Sequence, residues 1–593
     1  MTDYAAPIAD MRFAATRLAR LADIAGLPGG EELSEELIAS IFEEGGKFAG
    51  GVLAPLNRVG DRQGSQLVNG VVRTPDGWAE AYRAFIDGGW NGVPFDPEHG
   101  GQGLPWLVAT ALQEMWHSAN MAFGLCPMLT QAGVEAISRY GSPELKATFL
   151  PKLVSGEWTG TMVLTEPQAG SDLAAIRTRA VREGDHYRLV GQKIFITYGD
   201  HELTDNIVHL VLARLPDAPP GVKGISLFVV PKHLIEAGGA LGERNDVRCV
   251  SLEHKMGIHA SPTAVLSFGD HGGAYALLVG EENEGLPYMF TTMNNARLSV
   301  GLQGVAIAER ALQKAAAYAR ERVQGRDLSG GGAKPAAIIR HPDVRRMLLT
   351  MRALTEASRA LAYFAAGKLD IAGRHPDPAE ALAAQGLVDL LIPVVKGWST
   401  EIGSEAASIG VQVHGGMGYI EETGAAQFMR DVKIAEIYEG TNGIQANDLI
   451  GRKLTRDGGA AARSFIAAMR SLDGELAAAG EELSSLRGAL ARGLDSLERT
   501  TGWILGHPGD DAAAAAMSYL RLWGSVAGGW LMARAALAAK ADLAGDEGDP
   551  AFLRAKIITA RFYGEHILPR AATYEAAATA GAGTLMAMAD EAF

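Results

Sequence analysis

Residues 159–270 form a block of short, β-rich runs between two long regions of helical periodicity, and this change of pattern most constrains the fold. Each run has the length and the branched or aromatic content of a strand. Glycine, proline and aspartate separate one run from the next. The block therefore predicts a small barrel or sandwich in the middle of the chain. Its runs are "TGTMVLTEP", "HYRLVGQKIFITYG", "DNIVHLVLAR", "KGISLFVVPK" and "TAVLSFGD".

Helical periodicity flanks this block on both sides, as in "VATALQEMWHSANMAFGL" before it and "RLSVGLQGVAIAERALQKAAAYARER" after it. At roughly 100–200 residues per domain, a chain of 593 residues predicts three or four domains. The predicted fold class is an α+β multidomain protein, and "DLSGGGAKPA" is predicted to be an exposed loop. The predicted parts are an N-terminal extension (1–40), an N-terminal helical domain (41–158), a central β-barrel domain (159–282), a helical bundle (283–455) and an additional C-terminal helical domain (465–593).

Charge and cysteine content exclude several classes of protein. The formal net charge of −15 disfavours broad contact with nucleic acid or an anionic membrane. Two cysteines form neither a disulfide framework nor a zinc site, so no metal is predicted and a reducing compartment fits. The first thirty residues show no apolar signal segment, and no run reaches the 18 apolar residues of a membrane span. These features predict a cytoplasmic protein without a membrane span.

The segment "MVLTEPQAGSD", residues 162–172, follows a predicted strand and has the composition of a ligand-binding loop. Pro167 stiffens the turn, and Gly170 allows close approach of the backbone to a ligand. Thr165 and Ser171 offer hydroxyl groups that suit a planar heterocycle or a phosphate. The alternative for the isolated segment is an ordinary polar loop.

A second segment, "GQKIFITYGD" at residues 191–200, places an aromatic side chain and a hydroxyl group on one face of a predicted strand. Phe195 and Thr197 are two residues apart, which is the spacing of one strand face. Such a pair could pack against a flat ring. The alternative is a core aromatic that packs across strands.

The third segment, "IYEGTNGIQ", places Glu439 just before a predicted helix. A carboxylate there could simply stabilise the helix N-terminus, which contributes about 0.3–1 kcal/mol. It could instead take a proton from a substrate.

Four segments together, "LTEPQAGSD", "GQKIFIT", "QVHGGMGY" and "IYEGTNGIQ", resemble in order and spacing the acyl-CoA dehydrogenase family of flavoproteins. The resemblance covers roughly residues 78–454. It implies a helical domain, a β-barrel and a four-helix bundle, with FAD as cofactor and an acyl-CoA thioester as substrate. It also implies that electrons pass to electron-transferring flavoprotein.

The resemblance also implies roles for particular residues, each at a position that matches a family motif. Phe195 stands where the family more often has Trp, so the stacking face is kept without the indole donor. Arg322 would reach the FAD diphosphate of a neighbouring subunit, and His414 is interpreted as structural. The implied cofactor contacts are Met162, Leu164, Thr165, Gly170, Ser171, Phe195, Thr197, Arg322, Gln412, Gly415, Gly416 and Thr441. The implied substrate contacts are Ser171, Arg297 and Gly440, although Arg297 could also be an ordinary surface residue of its helix.

The family pattern makes Glu439 the catalytic base, with its own backbone N–H helping to stabilise the thioester oxygen. Some members carry the base immediately before the arginine of the "RLSVG" segment, where this chain has Ala296. Alanine cannot take a proton, so Glu439 is the predicted base. Glu436, one turn earlier, is a weaker candidate.

The ends of the chain resemble a large bacterial branch of the family with an extra C-terminal helical domain. Members of that branch act on straight-chain acyl-CoAs or on 3-methylmercaptopropionyl-CoA, an intermediate of dimethylsulfoniopropionate breakdown. The extra domain is expected to cover the bundle face that smaller members use for tetramer packing, which predicts a homodimer. The alternatives are an acyl-CoA oxidase, a DNA-binding relative without catalysis and a flavin-free scaffold.

Overall fold

The computed structural model describes residues 4–327 and 335–593. Most of the loop predicted at "DLSGGGAKPA", residues 328–334, lies outside this description. Short 3₁₀ and π turns join the helices and strands. The helices are α1 Ile8–Phe13, α2 Leu21–Ala25, α3 Glu35–Phe48, α4 Ala54–Gln63, α5 Trp78–Asp87, α6 Trp106–Ala119, α7 Met121–Tyr140, α8 Pro143–Ser155, α9 Gly285–Glu321, α10 Pro342–Arg374, α11 Pro378–His414, α12 Ala425–Val432, α13 Asn442–Asp448, α14 Ala460–Arg470, α15 Asp473–Ala478, α16 Ser484–Gly506, α17 Asp510–Ala544, α18 Pro550–Phe562 and α19 Arg570–Ala578. The strands are β1 Gln66–Val68, β2 Val71–Arg73, β3 Thr159–Val163, β4 Arg179–Glu183, β5 His186–Thr197, β6 Ile207–Arg214, β7 Ile225–Pro231, β8 His233–Ile235, β9 Leu241–Arg244, β10 Val247–Leu252, β11 Thr263–Phe268, β12 Ala274–Leu278, β13 Val323–Arg326 and β14 Pro335–Ala337.

The chain divides into two compact units. The first holds residues 4–5 with Lys47–Leu104 and Met115–Ala296. The second holds Ala6–Gly46, Pro105–Glu114 and Arg297–Phe593. The N-terminal extension therefore belongs almost entirely with the bundle and the C-terminal helices.

The β-rich block folds into a sheet that closes on itself, which confirms the predicted barrel. Along the sheet the strands run β10-β11-β5-β12-β7-β6-β3. Strand β4 pairs with β5 along its length and also touches β6 at Arg179 and Arg214, so it closes the ring. Inward-facing apolar side chains fill the barrel, among them Leu189, Phe228 and Phe268. Closure leaves few unpaired strand edges.

A hairpin of β1 and β2 interrupts the N-terminal region, where mainly helical structure was predicted and no strand was named. Asn69 and Gly70 form its turn with φ of 51° and 79°. An Asn-Gly pair between apolar residues is a strong hairpin signal, because both residues tolerate positive φ. Val72 joins the apolar core of the barrel.

The second unit is a bundle of long helices with the additional helical domain packed on it. Helix α17 approaches α11 closely because Gly524 and Gly528 face Trp398. A Cβ at Gly524 would lie 2.1 Å from the indole Cγ. Arg521 and Arg570 form ion pairs with Glu401 and Glu405 of α11. The additional domain thus covers one face of the bundle.

A cluster of buried charges joins α1, α6, α9, α10 and α18 within this unit. Arg359 on α10 donates to three carboxylates at once. Lys556 on α18 donates to two, one of which it shares with Arg359. The carboxylates are Asp10, Glu114 and Glu309 around Arg359, and Asp10 and Glu356 around Lys556.

One helical segment in the described chain, Pro378–Tyr419, is long and apolar enough to cross a membrane by length and composition alone. Core helices of bundles often pass the same test. Residues of this segment pack on α10, α13 and α17.

Candidate active site

Glu439 lies in a tight left-handed turn between α12 and α13. Glu439 and Gly440 have φ of 53° and 80°. A side chain at residue 440 would be strained, and its Cβ would lie 2.8 Å from the amide nitrogen of Gln445. Thr441 is the residue that caps α13, because its Oγ1 accepts from the backbone N–H of Ile444 at 3.2 Å. Glu439 therefore does not cap α13 through a side-chain hydrogen bond.

Two side chains hold the carbonyl groups of this turn. Lys396 on α11 donates to the Gly440 carbonyl at 2.7 Å and to Asn442 Oδ1 at 3.0 Å. Gln445 on α13 donates to the carbonyls of Glu439 and Gly440 at 3.1 and 3.2 Å. The turn is thus fixed from two different helices.

The Glu439 carboxylate itself is partly buried and accepts no hydrogen bond from the described residues. Burial raises its pKa, while the positive charges of Arg297 and Lys396 oppose this rise. Its backbone N–H also donates to no acceptor in the described chain. Glu436, in contrast, accepts from Ser404 and from Lys433, so its carboxylate is engaged. Glu439 is the one of the two that is available to a substrate.

Arg297 is buried and pairs with Asp448 at 2.9 Å, so it is not a surface residue of its helix. Its Nε has no hydrogen-bond partner in the described chain. A buried guanidinium with an unused donor is suited to an anionic or carbonyl group of a ligand. Its predicted contact with the substrate stays a prediction.

In the first unit, a buried carboxylate organises the loop after β3. Glu166 accepts hydrogen bonds from the backbone N–H groups of Arg177 and Thr178 at 2.7 and 3.0 Å. Lys193 on β5 pairs with it at 2.9 Å and also donates to the Leu164 carbonyl at 2.8 Å. Neither residue was predicted as part of the site, although Glu166 lies inside the "LTEP" segment, which was a signal.

The contacts of Lys193 with Glu166 and with the Leu164 carbonyl join the two predicted cofactor segments, residues 162–172 and 191–200. The Thr165 carbonyl accepts from the backbone N–H of Ile194 on β5 at 2.9 Å. A bulge follows on β5, where Phe195 has φ of 61° and is 58% exposed. A bulky residue in the left-handed region is strained, and such strain is usually kept for function. Phe195 is exposed and Thr197 is half-buried, whereas Ile196 between them joins the barrel core. The predicted contact of Phe195 and Thr197 with a flat ring stays a prediction.

The remaining predicted cofactor contacts lie on open surface of the second unit. Gln412, Gly415 and Gly416 are exposed, and a Cβ on either glycine would meet no atom within 4 Å. Arg322 is exposed beside Gln324. His414 is buried, bonds to the Gly410 carbonyl at 2.7 Å and stacks on Tyr318, contacts that suit a structural histidine.

These residues fit FAD in chemical type. An exposed flat ring, hydroxyl groups, an open glycine turn and an exposed arginine suit the isoalloxazine ring, the ribityl chain and the diphosphate of that cofactor. The residues divide between the two units. Met162, Leu164, Thr165, Gly170, Ser171, Phe195 and Thr197 belong to the first, and Arg297, Arg322, Gln412, Gly415, Gly416, Glu439, Gly440 and Thr441 belong to the second.

Family models match almost the whole chain. The acyl-CoA dehydrogenase N-terminal, middle and C-terminal domain models match residues 65–157, 161–271 and 283–454. The chain belongs to the acyl-CoA dehydrogenase family. A model for an acetyl-CoA dehydrogenase C-terminal-like domain matches residues 461–589 of this dehydrogenase, which is the additional helical region.

Curated relatives extend the similarity over most of the length of this acyl-CoA dehydrogenase. It is 50% identical to 3-methylmercaptopropionyl-CoA dehydrogenase of Ruegeria pomeroyi, over 95% of this chain and 96% of that protein. It is 35% identical to a butyryl-CoA dehydrogenase of Syntrophomonas wolfei, over 87% of both chains. It is 36% identical to the broad-specificity linear acyl-CoA dehydrogenase FadE5 of Mycobacterium tuberculosis, over 84% of both.

Solved structures share the fold. Caenorhabditis elegans ACDH-11, solved in complex with C11-CoA, matches with a TM-score of 0.78 at 22% identity, over 96% of this chain and 92% of that one. Butyryl-CoA dehydrogenase of Megasphaera elsdenii matches with a TM-score of 0.58 at 27% identity, over 71% and 99%. This acyl-CoA dehydrogenase is therefore an FAD-dependent oxidoreductase that desaturates an acyl-CoA thioester between Cα and Cβ.

Proposed function

We propose that Glu439 is the base that removes the α-proton of the acyl-CoA thioester. The observation that carries this proposal is its carboxylate, which a strained, doubly held turn presents without a hydrogen-bond partner in the described chain. A raised pKa brings a carboxylate closer to the base strength that this proton transfer needs. Ala296, the alternative position of the base, cannot serve.

The chemistry follows from the acidity of the substrate. FAD, when bound, would supply the acceptor for the β-hydrogen as hydride. Glu439 takes the α-hydrogen as a proton, so that the product is a trans-2-enoyl thioester. Negative charge develops on the thioester oxygen as the α-proton leaves, so a hydrogen-bond donor there lowers the barrier. The unused backbone N–H of Glu439 is suited to that task.

Replacement of Glu439 by glutamine tests this role, because the amide keeps the shape and removes the base. We expect the Glu439→Gln enzyme to retain FAD and to lose roughly 10²–10⁴-fold or more in the rate of flavin bleaching by acyl-CoA under anaerobic conditions. Glu436→Gln is the matched control and should bleach at the wild-type rate, since that carboxylate is already bonded to Ser404 and Lys433. Wild-type bleaching by Glu439→Gln would refute the assignment.

We propose a short, unbranched acyl-CoA or a thioether acyl-CoA as substrate, with 3-methylmercaptopropionyl-CoA among them. The 50% identity to the Ruegeria pomeroyi enzyme over nearly the whole chain supports this choice. A thioether sulfur is polarizable and close in size to a methylene, so one pocket can accept both kinds of chain. A role in dimethylsulfoniopropionate breakdown would follow from that substrate.

A series of kcat/KM values from butyryl- to palmitoyl-CoA, with the thioether substrate included and ferrocenium as acceptor, tests the substrate class. We expect a maximum among the short chains and turnover of the thioether, with about 1–3 kcal/mol of discrimination per methylene. A maximum at lauroyl-CoA or beyond, with no turnover of the thioether, would overturn the substrate proposal and leave the dehydrogenase assignment intact.

We also propose a cytoplasmic homodimer that passes electrons to electron-transferring flavoprotein. Met417, Tyr419 and Ile420 follow the open glycine turn and are 50%, 87% and 45% exposed, which suits a surface covered by a second copy. Sedimentation gives the subunit number.

Stopped-flow reoxidation by electron-transferring flavoprotein and by O₂ separates a dehydrogenase from an oxidase. A gel-shift assay and the visible spectrum of the purified protein test the DNA-binding and flavin-free alternatives.

A further inference from the structure

Lys396 is a fully buried lysine whose ammonium reaches the turn that carries Glu439. Its Nζ lies 2.7 Å from the Gly440 carbonyl oxygen and 3.0 Å from Asn442 Oδ1. It lies on α11, more than forty residues before the turn in sequence. We propose that Lys396, together with Gln445, clamps the Glu439–Gly440 turn and so positions the Glu439 carboxylate for proton abstraction. This inference rests on the proposed role of Glu439.

The turn needs such a clamp because its backbone is strained. The backbone of Glu439 lies in the left-handed region, which residues with a Cβ rarely adopt, and the backbone of Gly440 lies there too. Such a conformation persists only where surrounding contacts hold it. Gln445 donates to both carbonyls from within α13, whereas Lys396 ties the second carbonyl to α11. The carboxylate of Glu439 is thereby fixed relative to two helices.

The clamp is itself held in one orientation by the Asn442 side chain. Asn442 Oδ1 accepts from Lys396, and Asn442 Nδ2 donates to Thr400 Oγ1 at 3.0 Å. The same Nδ2 donates to the Gly397 carbonyl at 3.1 Å. The side-chain oxygen of Asn442 therefore faces Lys396. The Lys396 ammonium has two acceptors, Asn442 Oδ1 and the Gly440 carbonyl oxygen.

The charge of Lys396 also affects the pKa of the Glu439 carboxylate. The charged groups that act on Lys396 are Glu439, Arg297 and Glu436. Burial lowers the pKa of Lys396 to about 7, and Glu439 opposes this effect. A positive charge at Lys396 lowers the pKa of Glu439 in turn. Removal of Lys396 should therefore raise the pKa of Glu439 and move the acid limb of the rate profile to higher pH.

The test compares Lys396→Met and Gln445→Leu with wild type and with Lys433→Met, an exposed lysine that bonds to Glu436. We expect both clamp variants to retain FAD and to lose roughly 10–100-fold in the rate of anaerobic flavin bleaching, with little change in KM. Only Lys396→Met should move the acid limb to higher pH. Lys433→Met should match wild type in rate and in pH profile.

Crystal structures give a readout that is independent of activity. We expect the Gly440 carbonyl and the Glu439 side chain to be displaced in Lys396→Met, and the charge-conserving Lys396→Arg to recover part of the rate. An undisplaced turn with a wild-type rate and pH profile in Lys396→Met would overturn the clamp. Wild-type bleaching by Glu439→Gln would instead overturn the proposed base, so the two failures are distinguishable. If Lys396→Met fails to fold, Gln445→Leu decides the matter: a wild-type rate in that variant overturns the clamp.

Discussion

Replacement of Lys556 by methionine should destabilise the second unit through the buried charge cluster. Lys556 is 2% exposed, donates to Asp10 and lies 2.9 Å from Glu356 Oε2. Methionine has a similar length and no charge, so packing changes little. The substitution removes the ion pairs of Lys556 with Asp10 and Glu356, while Asp10 keeps its ion pair with Arg359. One negative charge among the four carboxylates of the cluster then loses its compensating positive charge.

The expected cost follows from the burial of these charges. Removal of one partner from a buried ion pair costs about 3–5 kcal/mol, because the other charge remains in a low-dielectric surrounding. The second unit has about 350 residues, which gives an unfolding entropy of roughly 0.7 kcal/mol per kelvin. The midpoint of thermal unfolding should therefore fall by about 4–7 °C.

Differential scanning calorimetry at constant FAD and protein concentration measures this change. Arg487→Met is the matched control, because Arg487 pairs with Asp473 at the surface, where a salt bridge contributes about 0–1 kcal/mol. The double variant Lys556→Met with Asp10→Asn removes the unpaired carboxylate and should recover part of the loss. A midpoint for Lys556→Met within about 1 °C of wild type would refute the reasoning. So would a double variant that is less stable than the sum of the single changes.

Three further predictions concern a carboxylate in the first predicted cofactor segment, an exposed arginine of the second unit and a buried acid of the first unit. Glu166→Gln should weaken FAD retention, since Lys193 loses its charge partner and the loop after β3 loses its brace; flavin content after dialysis measures this, and full content would contradict it. Arg322→Ala should lower FAD content and dimer stability together, with size-exclusion mass as the second readout, and an unchanged dimer with full flavin content would show that this arginine acts elsewhere. Burial raises the pKa of Glu135 to about 7, above its unfolded value, so its ionisation destabilises the folded state as pH rises from about 4.5 to about 7. Glu135→Gln should therefore flatten the fall of unfolding free energy over that window, on the order of 2 kcal/mol in urea titrations, and an unchanged slope would refute the assignment.

Local patterns in the sequence predicted the barrel and the bundle because both depend on short-range periodicity. The five predicted β-rich runs correspond to strands β3, β5, β6, β7 and β11, whereas β4, β8, β9, β10 and β12 lie outside those runs. The Ala-rich run after residue 297 continues as α9. The β1–β2 hairpin carried an equally local signal in Asn69-Gly70, and its omission was an error of interpretation. The left-handed Phe195 gave no such signal, because a bulge depends on the register of β5 against β11.

The sequence by itself determined the order of elements, the family, and Glu439 as the predicted base, since the motif "IYEGTNGIQ" is contiguous. Only the tertiary structure decided what surrounds that carboxylate: Lys396 and Gln445 on the carbonyls of its turn, and Arg297 buried against Asp448. It also decided that α1, α10 and α18 meet at a shared set of charges. The physical reason is that backbone preference acts over a few neighbouring residues. Burial, ion pairing and shifted pKa values depend instead on groups that chain folding brings together from distant parts of the sequence.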